Sequence, residues 1–395
     1  MQIEEPRRPN PTGTALLALG FRPFFLLAGL GAVGLLAIWL GYVSAPAQLQ
    51  AYYAGTFWHA HEMLFGYTVA VISGFLLTAV RNWTDIPTPS GGPLGLLALL
   101  WILGRLLPLA GPDVPGWLIA VVDLALLPAL AWVVGVRVLR RRQTSNLIFA
   151  VLPLLMMLAN LLVHLEMLGI TADTAWYGLY GMLWLVMLII VLMGGRVIPF
   201  FAERGVQGLT TRRWPLVEWL SPWVIVAAAV SHLFLPDALT FWAALLAFGV
   251  HAVRVFGWYH RLMWREPLVW VLIFGYAWLV LGLGLLALAE RGWISGFIAL
   301  HAFTVGGLGG ITLGMMSRVA IGHTGRPMKL PKGMVWSYYF LFAAAMVRVF
   351  FPLFLPETYV REVMAAGGLW ILAFLVFLHY YTPILMRPRV DGRPG

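Results

Sequence analysis

Two histidines and a glutamate open a segment otherwise fit to cross a membrane. The stretch reads Trp58-His59-Ala60-His61-Glu62-Met63-Leu64-Phe65-Gly66-Tyr67, and an apolar run follows. Imidazoles and carboxylates at membrane depth are costly to hold and point to function. Similar groups recur along the chain: Asn160 and His164, His301 inside a later apolar run, and His323 in Gly322-His323-Thr324-Gly325-Arg326-Pro327. Imidazole suits copper, zinc and iron, and it is an axial ligand of haem. The chain has no cysteine. That excludes disulfides, thiolate metal sites, iron–sulfur clusters and haem attached through Cys-x-x-Cys-His. A metal or a haem b would be held by imidazole, methionine, tyrosine, carboxylate or backbone.

The elements that position these groups are membrane spans. Of 395 residues, 61% are hydrophobic and 11% are charged, against about 25% charged in a soluble domain. Mean hydropathy is +0.86, and runs of roughly 20 apolar residues fit a bilayer. The reading is an all-α polytopic bundle of twelve transmembrane helices: 21–43, 57–80, 93–110, 115–139, 145–168, 176–200, 216–236, 238–256, 267–289, 293–317, 334–354 and 363–385. Short links 3/4 and 7/8 predict antiparallel hairpins. Residues 21–385 read as one domain between tails 1–20 and 386–395. The first apolar run is too long for a cleaved signal, and Arg7-Arg8 lies in proline-rich surroundings that suit a twin-arginine signal poorly.

The net charge of +10 sits on no exposed polar domain, so nucleic acid is not the partner it implies; the lipid bilayer is. With twelve spans, 22 of the 26 Lys and Arg residues fall in loops, tails or span ends on one side. The positive-inside rule makes that side cytoplasmic and puts both termini there. On this topology His59, His61, His164, His232 and His301 share an outer layer, with His301 about 12 Å deep at 1.5 Å per residue. His251, His260, His323 and His379 lie toward the cytoplasm. His301 and His323 are about 30 Å apart along one helix and cannot share one ion, whose bonds to nitrogen are about 2 Å. His59 and His61, at i and i+2, point about 200° apart on a helix. Both reach one site only if the helix starts near His61. Glu62 could accept from an imidazole N–H.

Other charged groups have plainer readings. Arg105 and Asp123 fall in adjacent antiparallel spans and read as an ion pair. Arg348 could pair with Glu62 or with a haem propionate. Asn160, Arg196, His251 and Arg318 are weaker site candidates, and His232, His260 and His379 read as interfacial polar residues. Trp and Tyr at span ends form an aromatic belt. Gly306-Gly307-Leu308-Gly309-Gly310 follows no strand, so it marks close helix packing rather than a nucleotide site.

The chain resembles the NnrS family of polytopic membrane proteins. The resemblance rests on Phe21-Arg22-Pro23-Phe24-Phe25, Trp58 to Gly66, Gly74-Phe75-Leu76-Leu77-Thr78-Ala79 with Asn82-Trp83-Thr84, and Asn160 to His164. It continues in Gly194-Gly195-Arg196-Val197-Ile198-Pro199, Gly275-Tyr276-Ala277-Trp278, His301 to Gly306, and Gly322 to Pro327. It implies a bacterial inner-membrane protein of the nitric oxide (nitrosative stress) response that contains haem and copper. It also implies His59, His61, His164, His301 and His323 as the haem or copper ligands. The family pattern carries a histidine where this chain has Ile273, which removes one inner candidate. The expectation is a haem/copper protein that binds nitric oxide at an outer-layer cluster of His59, His61, His164 and His301. Turnover as an oxidoreductase, fed by a respiratory electron donor, is left open. Two alternatives stand beside it: a secondary transporter, favoured by twelve spans but not by the few intramembrane acids, and a non-catalytic partner of a respiratory enzyme.

Overall fold

The computed structural model describes residues 13–46 and 51–393; Arg7 and Arg8 lie outside them. Twelve helices are long and apolar enough to cross a membrane. They are α1 (Phe21–Ser44), α2 (Gly55–Thr84), α3 (Gly92–Gly111), α4 (Gly116–Arg140), α5 (Thr144–Met167) and α6 (Thr174–Gly205). Then come α7 (Pro215–Phe234), α8 (Asp237–Trp258), α9 (Pro267–Glu290), α10 (Gly296–Gly322), α11 (Val335–Phe354) and α12 (Tyr359–Met386). No strand occurs among the described residues. The chain is a multi-pass membrane protein.

Local chemistry sets the ends of these helices. Proline stands in the first turn of α3, α7 and α9, where its missing N–H has no intrahelical partner to lose. The Glu266 carboxylate caps α9 by accepting from the Leu268 N–H at 3.2 Å. Helix α2 starts at Gly55, at φ +45°, where a Cβ would lie 2.8 Å from the Tyr42 hydroxyl. That start comes four residues before His59, so His59 and His61 are both helical and must diverge. Helix α10 runs five residues past its expected end and carries Arg318 inside it.

The spans form a ring in which α12 returns to pack on α1. Helix α2 is the most buried span, and α7 and α8 are the least. The outer pair shows large apolar side chains such as Trp219, Trp242 and Phe256 to the surroundings, as lipid-facing helices do. Helices α9 and α10 meet at glycines: a Cβ on Gly310 would lie 3.1 Å from the Gly275 Cα. This is the close packing expected of the glycine run.

Two spans share a feature that the periodicity does not signal. In α2 the α-helix gives way to a π-helical segment, Glu62–Thr68, directly after His61. In α10 the same happens over Ala302–Leu308, directly after His301. Such segments are frequent at functional sites. Each places a histidine where the helix widens.

Candidate functional site

Glu62 is the first residue of its π-helical segment and is fully buried. Both of its oxygens accept from Arg105 Nη1, at 3.1 and 3.2 Å. Arg105 Nη2 donates to Asp123 Oδ1, so the predicted ion pair forms and extends to a second carboxylate. Arg105 thus holds both carboxylates as acceptors. Glu62 therefore accepts the His61 Nδ1–H at 3.0 Å, which leaves His61 Nε2 as a bare lone pair.

That lone pair faces a crowd of acceptors. Asn160 Oδ1 lies 2.9 Å away and Asp123 Oδ2 3.2 Å away. Asn160 Nδ2 donates to Asp123 Oδ2 at 2.8 Å, which turns its oxygen toward His61. His164 Nε2 lies 3.1 Å from the same Asp123 oxygen. The side chains of His61, Asp123 and His164 are buried, and their ligand atoms lie within 4.8 Å of one another. Acceptors at these separations repel unless a proton or a cation stands between them. The formal charges say the same: Glu62, Asp123 and Arg105 sum to −1 when the imidazoles are neutral. The group could hold a metal ion, and its imidazole and carboxylate donors fit copper or zinc.

Two tyrosines close this site from the segment before α2. The Tyr52 N–H donates to Pro108 O at 2.9 Å, which ties the segment to the end of α3. The Tyr53 ring stacks on His61, with centroids 4.2 Å apart. Burial pushes the Tyr52 phenol up to about 12 and holds the Tyr53 phenol well above its ordinary value. Tyr53 O–H therefore serves as a donor to His61 Nε2, at 3.0 Å.

His59 lies on the other side of α2, facing a cavity of about 380 Å³. His301, Arg348, Trp39, Tyr67 and Trp370 are among its lining residues. The volume falls within the range of small-molecule and cofactor sites, about 300–1,000 Å³. His301 Nδ1–H donates to Phe297 O at 2.6 Å, so its Nε2 is unprotonated when the ring is neutral. His59 stacks on Trp39, at 4.5 Å between centroids, and its buried Nδ1 has no partner among the described residues. Arg348 Nη2 donates to the Tyr359 hydroxyl at 3.2 Å and not to Glu62, which Arg105 occupies.

A family model described as "NnrS protein" matches residues 15–389. The chain belongs to the NnrS family. Membership suggests a role in the nitric oxide response and an association with metal cofactors. No curated protein matches the chain.

The structure distributes this NnrS protein's predicted ligands over three places, where the sequence reading gathers four of them in one cluster. His61 and His164 meet at Asp123. His59 and His301 line the cavity. His323 stands at the far end of α10, against Phe21, with its carbonyl accepting from Arg389 Nη1 at 2.9 Å. Burial, then Arg389, Arg81 and Arg22, pushes the His323 imidazole down to about 4.

The weaker candidates also separate. His251 has both nitrogens taken, by the Tyr276 hydroxyl and by Ser221 O. Arg196 donates to Asn146, and Arg318 lies over the Phe201 ring at 4.0 Å. Glu62 and Asn160 join the His61 group. Sequence reasoning missed Tyr53 altogether and saw in Asp123 only a partner for Arg105. The cost of an aspartate in mid-span was the available signal.

Proposed function

We propose that this protein is a haem- and copper-containing member of the nitric oxide response, in the inner membrane of a bacterium with both termini in the cytoplasm. Haem b would occupy the cavity, and copper the His61–Asp123–His164 group. The supporting observation is the split itself: one helix turn of α2 sends His59 into a cofactor-sized cavity and His61 into a buried ion-sized cluster.

The residues present fit both groups. His301 would hold the group through Nε2, with Phe297 O fixing the tautomer, and His59 offers a second imidazole on the same cavity. The cationic Arg348 and the Tyr359 hydroxyl suit a propionate. At the cluster, Glu62 holds the His61 ring through Nδ1, as carboxylates do behind metal-binding histidines. Asn160 holds Asp123 in place.

When bound, haem would supply an iron able to take up nitric oxide, and copper would supply a second redox-active metal. Nitric oxide is small, neutral and soluble in hydrocarbon, so it reaches buried sites through the bilayer. The apolar cavity walls admit such a ligand and disfavour ions. Conversion of nitric oxide, as distinct from binding, needs electrons, and a respiratory donor in the same membrane would supply them.

The test is an absorption spectrum with metal analysis of the purified protein, made with ample haem and copper. A Soret band that shifts on adding nitric oxide, together with bound copper, is the expected result. Absence of the band rejects the proposal.

A further inference from the structure

We infer that Tyr53 is a fourth ligand of the ion held by His61, Asp123 and His164, through its phenolic oxygen. The inference rests on the metal reading given above and extends it to a residue outside the histidine motifs. Tyr53 is 1% exposed, and its hydroxyl lies 3.0 Å from His61 Nε2 and 3.3 Å from His164 Nε2. The Asp123 Oδ2 atom lies 3.2 and 3.1 Å from the same two nitrogens. Four donor atoms thus form a closed ring that alternates nitrogen and oxygen. A tetrahedral ion with bonds of about 2.0–2.1 Å holds its ligands about 3.3 Å apart, close to all four edges.

Proton supply argues against a purely hydrogen-bonded ring. His61 Nε2 is bare, because its Nδ1–H goes to Glu62. Only the Tyr53 O–H and a His164 Nε2–H can donate within the ring. Two protons cannot bridge four edges, and the edge between His61 Nε2 and Asp123 Oδ2 receives neither. One ion at the centre satisfies all four atoms together.

Coordination would release the phenol proton to solvent and leave the oxygen as a phenolate, since a metal's ligands bind in their deprotonated forms. Glu62, Asp123 and Tyr53 then carry −3 against +1 on Arg105. The net −2 matches a divalent ion, whereas without Tyr53 the site matches a monovalent one. Tyr53 therefore biases the site toward copper in its oxidised, divalent state. Four separate segments supply the ligands: the residues before α2, α2 itself, α4 and α5.

The test uses the purified full-length protein in detergent, loaded with Cu(II) alone. Resonance Raman excitation in the visible should reveal tyrosinate ring modes that shift when the chain carries ring-deuterated tyrosine. Those modes should vanish in Tyr53→Phe and persist in Tyr52→Phe, and Tyr53→Phe should bind Cu(II) about tenfold or more weakly. Equal affinity and identical spectra for Tyr53→Phe and the wild type would overturn the ligand role and leave the three-residue site standing. Wild-type protein that retains haem but takes up no Cu(II) would overturn the metal site as well. Modes unmoved by labelled tyrosine in the wild type overturn the assignment without recourse to any variant.

Discussion

The two faces of α2 treat their histidines in opposite ways. On one face His61 is surrounded: Glu62, Asn160, Asp123 and Tyr53 all lie within 3.2 Å of its nitrogens. On the other face, among the described residues, His59 Nδ1 has no partner, and the His301 ring bonds to its own helix at Phe297 O. Buried polar groups left bare are costly. Here they border a cavity of about 380 Å³, the place proposed above for the haem. On the crowded face the ligand atoms of His61, Asp123 and His164 lie within 4.8 Å of one another, a spacing that could hold an ion. On the reading proposed above, a large flat cofactor belongs on one side of the helix and a single metal on the other.

The strongest test of that contrast is double dissociation. His301→Ala should abolish haem binding and leave copper near one per chain, while His61→Ala should do the reverse. Haem absorbance and metal content on the same samples measure both. Loss of both groups in both variants would mean one shared site. Next in size is Arg105→Ala. It leaves two buried carboxylates without their cation, which should cost about 3–5 kcal/mol. A large drop in thermal midpoint in detergent is expected, confined to neither cofactor.

A smaller effect separates ligand from support. Glu62→Gln keeps the shape of the His61 contact but removes its charge, and should weaken copper binding about 10–100-fold. Haem content should not change, because Glu62 faces away from the cavity. Titration of Cu(II) into the two proteins reads the ratio. Equal affinities would detach Glu62 from the metal site.

The smallest effect belongs to His323, which the account places in neither site. Its folded pKa, about 4, lies below the unfolded value of about 6.5. Between those values the unfolded chain binds a proton that the native chain does not, so stability falls as pH drops from 6.5 toward 4. His323→Gln should flatten this part of a stability-versus-pH curve and leave cofactor content unchanged.

The spans were plain in the sequence because about 20 apolar residues must cross a bilayer, and no other arrangement of this chain buries them. The ion pair of Arg105 and Asp123 was plain for a similar reason: two mid-span charges need each other. The further role of Asp123 was hidden, because a pair already explained its presence. Tyr53 was hidden by its position at a span end, where tyrosines ordinarily mark the interface. Its contacts with His61 and His164 distinguish it. The divergence of His59 and His61 hinged on where α2 begins. The helix begins at Gly55, where a Cβ would meet the Tyr42 hydroxyl at 2.8 Å, a tertiary fact that no local pattern carries. The π-helical segments left no periodic trace either, since each covers just seven residues.

The claim that α2 divides two different centres is tested most directly by anomalous-scattering maps of the loaded protein, recorded at the iron and copper edges. The account predicts an iron peak in the cavity beside His301 and a copper peak among His61, Asp123 and His164, with the helix backbone between them. A single peak touched by all four histidines, or two peaks on the same face of α2, would contradict it.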